Sequence, residues 1–319
     1  MPVRFTSPSL GENNSPQLKK NKWQIDVAYR HLHASQWFVG TDVKESAAPF
    51  QKPLYINLDS FDITANYGVS DRIALALTLP FSRGTHSRYY QDGTRHVVES
   101  GGLGDLNVIS TVWLRNPGQH TAGNMAFGVG VKMPTGDNDV SGALTLASGA
   151  PFNIPADQSI QLGDGGWGVI FQAQGYHTLF RRSSGYFNTW YLLSPRDSTG
   201  IKSPYPGVFL SVPDVYSTRV GVAYGVSTKR GISVSFGTRI DGIPRRDLIG
   251  GSDGFRRPGY SLYLEPGIIM THGHGSYTLS VPLRVHQDFK RSLVDMQLGK
   301  TGGGDLADSL ILAQYSWRF

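Results

Sequence analysis

Cysteine is absent from the 319 residues, so no disulfide or thiolate chemistry enters, an absence that suits an envelope protein and many others alike. Long hydrophobic runs are absent too. No stretch approaches the roughly 18 apolar residues of a transmembrane helix, which excludes a helical membrane protein. No 3.6-residue apolar period persists anywhere, which argues against mixed folds. Charge is thin, at 17% of residues. The net +6 comes from scattered Lys and Arg. They form no basic stripe and carry no known binding motif, so no nucleic-acid partner is expected. Residues 1–10 hold no apolar signal core. The expectation is that a leader was removed, or that the start codon is set too far downstream.

What the sequence does have is alternation. Reading back from the end, Phe319, Trp317, Tyr315, Ala313 and Ile311 alternate with Arg318, Ser316 and Gln314. A period of two puts one set on each face of a strand. A last strand ending in aromatics with a terminal Phe is a feature that bacterial outer-membrane barrels share. There it serves as the recognition segment for the barrel-assembly machinery. The same period returns along the chain. Trp23, Ile25, Val27 and Tyr29 alternate with Gln24, Asp26, Ala28 and Arg30. Met125, Phe127, Val129, Val131 and Met133 alternate with Asn124, Gly128, Gly130 and Lys132. The segment 185–193 is the least clear, because both of its faces are apolar.

The connections also alternate, long with short. Long ones lie near 34–54, 82–103, 134–162, 194–214, 241–258 and 287–308; short ones lie near 68–71, 116–123, 180–184, 227–231 and 272–275. Aromatics gather at two depths. Trp23, Tyr67, Tyr224, Tyr277 and Phe319 lie by the short turns, and Tyr29, Phe81, Trp167, Tyr216 and Tyr260 lie by the long loops. Amphipathic rings seek the two lipid–water boundaries in this way. These patterns predict an all-β fold. It is a transmembrane antiparallel up-and-down β-barrel of about 12 strands, with short periplasmic turns and long extracellular loops, in a bacterial outer membrane. Residues 1–21 read as an extended N-terminal arm, either a plug or a free tail, and residues 22–319 as the barrel.

Five short motifs carry a family resemblance: Phe38-Val-Gly40, Tyr67-Gly-Val-Ser-Asp-Arg72, Gly102-Leu-Gly-Asp105, Lys132-Met-Pro-Thr-Gly136 and Gln161-Leu-Gly-Asp164. In order and spacing, together with the terminal Tyr-Ser-Trp-Arg-Phe, they resemble the outer-membrane proteins grouped as the MetA-pathway phenol-degradation family. That family is loosely related to the long-chain fatty-acid channel. The resemblance implies a channel or transporter for small hydrophobic or aromatic solutes, with no cofactor. A structural or adhesive surface barrel without transport stays open as an alternative.

The lumen-lining candidates are Asp26, Arg30, Asp62, Arg72, Lys132, Arg219, Arg239, Glu265 and Arg284, because charges facing lipid are costly. Their excess of positive charge should repel small cations. Pro266 and Pro282 cannot donate to a ladder and fall at nearly one height, so they mark either a weak seam in the wall or a pair of bulges. Arg245, Arg246, Arg256 and Arg257 share one outer loop and are candidates for gripping lipopolysaccharide phosphates. The Gly-Asp pairs at 104–105 and 163–164 read as bulge formers. A lipid-modifying enzyme would need a Ser–His pair on the outer face. His31 and His33 reach that depth, but His286 is expected to point into the lumen and no serine is marked, so no enzyme is expected. Asp137-Asn-Asp139-Val-Ser141-Gly142 lacks the acidic end of a calcium loop and reads as a polar turn. His272 and His274 on a short turn read as solvated, so no metal site is expected.

Overall fold

Phe319 reaches back to the start of the barrel, where its amide donates to the carbonyl of Trp23 at 2.9 Å. That contact follows from closure of the sheet. The computed structural model describes residues 18–90 and 92–319, so most of the expected arm lies outside the described residues. The strands are β1 (Trp23–Ala34), β2 (Tyr55–Gly68), β3 (Ile73–Tyr89), β4 (Asn107–Trp113), β5 (Gly123–Lys132) and β6 (Gly168–Phe180). They continue as β7 (Ser183–Leu193), β8 (Val215–Ser227), β9 (Ile232–Ile243), β10 (Gly259–His272), β11 (Gly275–Ser280 with Leu283–Phe289) and β12 (Ser309–Arg318). Each pairs antiparallel with its chain neighbours, and β12 pairs with β1 from Gln24↔Arg318 to His33↔Ser309. The result is a closed twelve-stranded barrel. Its short helix α1 (Leu293–Gln297) lies in the last long loop and opens on a capping box from Ser292 and Asp295.

The outer face is apolar because alternate residues meet lipid rather than a core. Val129, Val220, Phe236, Phe127 and Leu279 are all exposed. Rings pair along the two rims: Trp23 with Tyr67 at 4.7 Å, Tyr277 with Tyr315 at 4.6 Å, and Tyr29 with Phe61 at 4.9 Å. An exposed apolar band of this kind in water would drive aggregation, whereas in a bilayer it is the stable surface.

The structure departs from the sequence reading at β3 and at His286, and it accounts for the doubly apolar segment 185–193. β3 does not stop near residue 81. It runs on to Tyr89 and pairs with residues 95–103 as a hairpin that stands above the membrane. The segment 185–193 is apolar on both faces because its inward Tyr186, Trp190 and Leu192 fill the barrel while Phe187 and Tyr191 face lipid. His286 is exposed on the outer wall, against the ring of Tyr260, rather than in the lumen. The cause is a bulge: Leu262 pairs with His286 but Tyr263 pairs with Arg284, so Val285 is an extra residue and the phase flips.

Candidate functional site

The long loop after β5 folds inward rather than outward. The connection after β5 makes a small hairpin (141–145 with 151–155) and then dips into the barrel mouth as a strap. Ile160 of this strap is fully buried and accepts a hydrogen bond from Ser100 Oγ at 2.5 Å. A Cβ on Gly84 of β3 would meet Ile160 at 2.7 Å, so the strap lies directly on that wall. From the far side, Gln158 donates to the carbonyl of Ser211, just before β8, at 2.7 Å. The strap therefore crosses the mouth.

Three of the sequence motifs converge to hold it. Lys132, at the top of β5 and with no exposure, gives its ammonium to Asp105 (3.0 Å) and to Asp164. Asp105 also accepts from the amide of Gly136 at 3.0 Å, and Asp164 from that of Gly166 at 2.9 Å. The glycines permit this approach: a Cβ on Gly136 would meet the Leu162 carbonyl oxygen at 2.7 Å, and one on Gly163 would meet Asp105 at 2.8 Å. The two Gly-Asp pairs are thus not bulge formers; they bring two buried carboxylates to one lysine. The sequence signal was three motifs with buried-capable Gly beside Asp. Their meeting depends on a loop path that no local pattern reveals.

Below the strap, buried charges cross-link the barrel interior. Arg219 on β8 pairs with Glu265 on β10, its Nε donating at 3.0 Å, and Glu265 also accepts from Ser280 at 2.9 Å. Arg239 on β9 donates to Asp241 at 2.7 Å. Arg284 pairs with Asp308 at 2.7 Å, and Arg30 donates to Ser60 at 3.1 Å. Asp26 accepts from Asn66 at 2.7 Å, while Asp62 lies inward beside Arg30 and is half-buried. The expected positive excess is offset, because Asp105, Asp164, Asp241 and Asp308 had not been counted among the interior groups. Arg72 is a correction: it lies exposed on the short turn after β2, and its guanidinium donates to the Trp113 carbonyl at 2.9 Å and to that of Leu114 at 2.6 Å. It ties a turn rather than lining the lumen.

Two chambers flank this plug. The outer one, of about 380 Å³, lies among the loops and is lined by Trp37, Leu54, Ile56, Tyr90, Leu210 and Phe255, with Arg88, Arg257, Asp157 and Asp305 among its polar groups. The periplasmic one, of about 420 Å³, is lined by Ser, Thr and Gly around Arg182. They share no lining residue. Between them Leu310, Leu312, Tyr263, Arg239 and Glu265 are buried. Tyr186 fills the periplasmic half, lying over Gly221 and Gly237 where any side chain would collide with it.

The outer chamber decides the fate of the loop arginines. Arg256 is buried and grips Asp247 with both nitrogens, at 2.6 and 2.5 Å, and Arg257 stacks on Trp37 at 4.6 Å and on Phe255 at 5.3 Å. Both are taken up by the loops' own groups, whereas Arg245 and Arg246 remain exposed. Burial raises the Asp157 carboxyl, but His86, Arg257 and two bonds from Ser159 outweigh it and hold it well below the usual range. Burial pushes the Asp305 carboxyl well above that range, with Asp157 and Asp308 adding to the effect and Arg257 opposing it. Neither Asp305 oxygen has a hydrogen-bond partner.

The other candidates stay separate. His31 lies 2.9 Å from Asp59, and His33 lies 2.7 Å from Asn57, both on the outer face; neither bond runs to a serine. Asp137 caps the amide of Asp139 at 2.9 Å in a polar turn. The two prolines act on different seams. Val281 donates to the Pro266 carbonyl across β10–β11 at 3.0 Å, and Leu310 donates to the Pro282 carbonyl across β11–β12 at 3.0 Å; neither bond has a return.

No protein-family model matches the chain, and no curated protein matches it. Among solved structures it is similar to the COG4313 outer membrane channel from Pseudomonas putida F1. The identity is 14%, the TM-score is 0.65, and the match covers 99% of this chain and 100% of that one. The chain shares that channel's fold, a closed β-barrel. It is also similar to the CymD monoaromatic hydrocarbon channel, at 10% identity and TM-score 0.47 over 95% of this chain and 89% of that one. The toluene transporter TbuX of Ralstonia pickettii gives 9% and 0.47 over 95% and 90%. For this barrel the first likeness establishes the architecture, and the lipid-facing band establishes the surface that a membrane covers.

Proposed function

We propose that the chain is an outer-membrane channel for small hydrophobic or aromatic solutes rather than an enzyme or a passive surface barrel. The carrying observation is the outer chamber. Three aromatic rings and an aliphatic wall enclose a space of about 380 Å³, ample for a single-ring solute, with the strap forming part of its lining. A protein that only coated the cell would gain nothing from such a chamber, and no Ser–His pair is present to do chemistry among the described residues. Refolded into planar bilayers, the chain is expected to give small resolved current steps. Monoaromatic solutes should reduce them more than aliphatic polyols of the same size. Absence of steps under every condition overturns the channel reading.

The exit is proposed to lie along the seam between β10 and β11, where the bond missing at Pro266 and the bulge at Val285 weaken one stretch of wall. An apolar solute gains nothing from a watery route and can leave sideways into lipid. Because cysteine is absent, Leu264→Cys with Leu283→Cys can be bridged selectively by a short thiol crosslinker; the two residues are register partners on the outer face. Bridging is expected to stop solute uptake while ion conductance persists. Uptake that survives the bridge removes the seam from the path. Arg245 and Arg246 are proposed as lipopolysaccharide contacts, and β12 as the segment engaged by the assembly machinery.

A further inference from the structure

The polar groups of the outer chamber specify more than an apolar guest. Its cations are Arg88, Lys202, Arg256 and Arg257. Arg256 is neutralised by its two-pronged bond to Asp247. His86 also lines the space, and burial brings its imidazole down to about 4, so it is uncharged near neutrality. Its position is beyond Phe81, on the part of β3 that stands above the membrane. Of the two acids, Asp157 is held well below the usual carboxylate range by His86, Arg257 and Ser159, whereas burial pushes Asp305 well above it. With Arg256 matched to Asp247, the chamber sets Arg88, Lys202 and Arg257 against Asp157, and against an Asp305 carboxyl that burial biases toward its neutral form.

The unpartnered groups point the same way. Trp37 Nε1, Arg88 Nε and Arg256 Nε are buried N–H donors without an acceptor, and the Asp305 carboxyl is buried without a partner on either oxygen. In its protonated form that carboxyl is a donor as well. A buried donor left unmatched keeps the desolvation cost of burial with nothing to offset it. A hydrocarbon satisfies none of them, and an ammonium has no lone pair to offer and would face the cations. An oxyanion brings two oxygens and a charge that guanidinium groups bind strongly.

We propose that this chamber is a binding site for small organic anions, a carboxylate carried on an apolar or aromatic body. The body lies on Leu54, Ile56, Leu210 and Phe255, and the head faces Arg88, Arg257, Trp37 and Asp305. This rests on the channel reading and narrows its solute: the first stop selects for charge before the plug is reached. Benzoate, benzyl alcohol and benzylammonium share one ring and differ in the head, so they separate the terms. Equilibrium dialysis against the refolded full chain is expected to give benzoate at least about tenfold tighter than benzyl alcohol, with benzylammonium weakest. Arg88→Gln with Arg257→Gln should remove the preference for benzoate and leave benzyl alcohol within about twofold. Lys202→Glu, on an exposed hairpin and safe for folding, should weaken benzoate alone. Equal binding of benzoate and benzyl alcohol, a preference for benzylammonium, binding of none of the three, or a Lys202→Glu chain that holds benzoate unchanged overturns the anion site. None of these outcomes touches the channel reading, which stands or falls on current steps measured without solute.

Discussion

Lys132→Met is expected to release the strap from the barrel mouth and raise single-channel conductance. The lysine is wholly buried and is the shared counter-charge of Asp105 and Asp164, themselves almost fully buried. Without it two carboxylates confront each other away from water. Removing one member of a buried ion pair costs about 3–5 kcal/mol because the remaining charge is stranded. Here the stranded charges sit on the two segments that must touch for the strap to stay down. The strap need not unfold the barrel to escape, since its own contacts are a few hydrogen bonds and Ile160. Opening should therefore rise by roughly 10² to several 10³-fold. Amide exchange over residues 156–164 should accelerate while exchange in β8 and β9 stays slow, and conductance should increase in the same preparation. Unchanged protection of the strap would mean that the knot does not hold it.

Glu265→Leu is expected to weaken the barrel itself. Glu265 receives Arg219 and the Ser280 hydroxyl in the interior, with Arg239 close enough to be felt. The leucine leaves two buried guanidinium groups with only Asp241 between them. A loss of about 3–5 kcal/mol follows from the stranded charge, and the midpoint of urea unfolding from lipid vesicles should fall accordingly. Adding Arg219→Met to Glu265→Leu should recover much of it, because an apolar pair of similar volume is a tolerable substitute for a buried ion pair. A single variant that unfolds at the original urea concentration, or a double variant worse than the single, would show that the pair carries little.

The contrast between what could be read from the sequence and what could not has a physical basis. Within the bilayer the solvent on one face is hydrocarbon, so alternation is enforced and β1, β5 and β12 are plain in the sequence. Above the bilayer both faces of β3 are wet or meet polar loops. Arg83, Thr85 and Ser87 point one way and Ser82, Gly84 and His86 the other, so no pattern marks the strand that continues there. His286 was misplaced because one inserted residue reverses every inward–outward assignment after it, and a bulge leaves no local mark between Arg284 and Gln287. Arg256 and Arg257 were misplaced because composition gives the charge of a loop but not its direction. The ring of acids that neutralises the interior was missed for a related reason: Asp105, Asp164 and Asp308 sit at strand ends and in loops, where carboxylates are ordinarily solvated.

Closure at Trp23 and Phe319 sets an order of events during biogenesis. Eleven of the seams join strands that follow one another in the chain and can form locally as hairpins; the twelfth joins residues almost the whole chain apart. Until β12 has paired, the free side of β1 is a bare row of amides and carbonyls, and the growing sheet carries a second such row at its other margin. In lipid neither row can be satisfied by water. The half-built sheet therefore has to be sheltered from the first hairpin to the last, and a chain that stops before β12 has no means of ending that dependence. Pairing of residues 309–318 with β1 satisfies both rows at once and leaves the sheet without an edge.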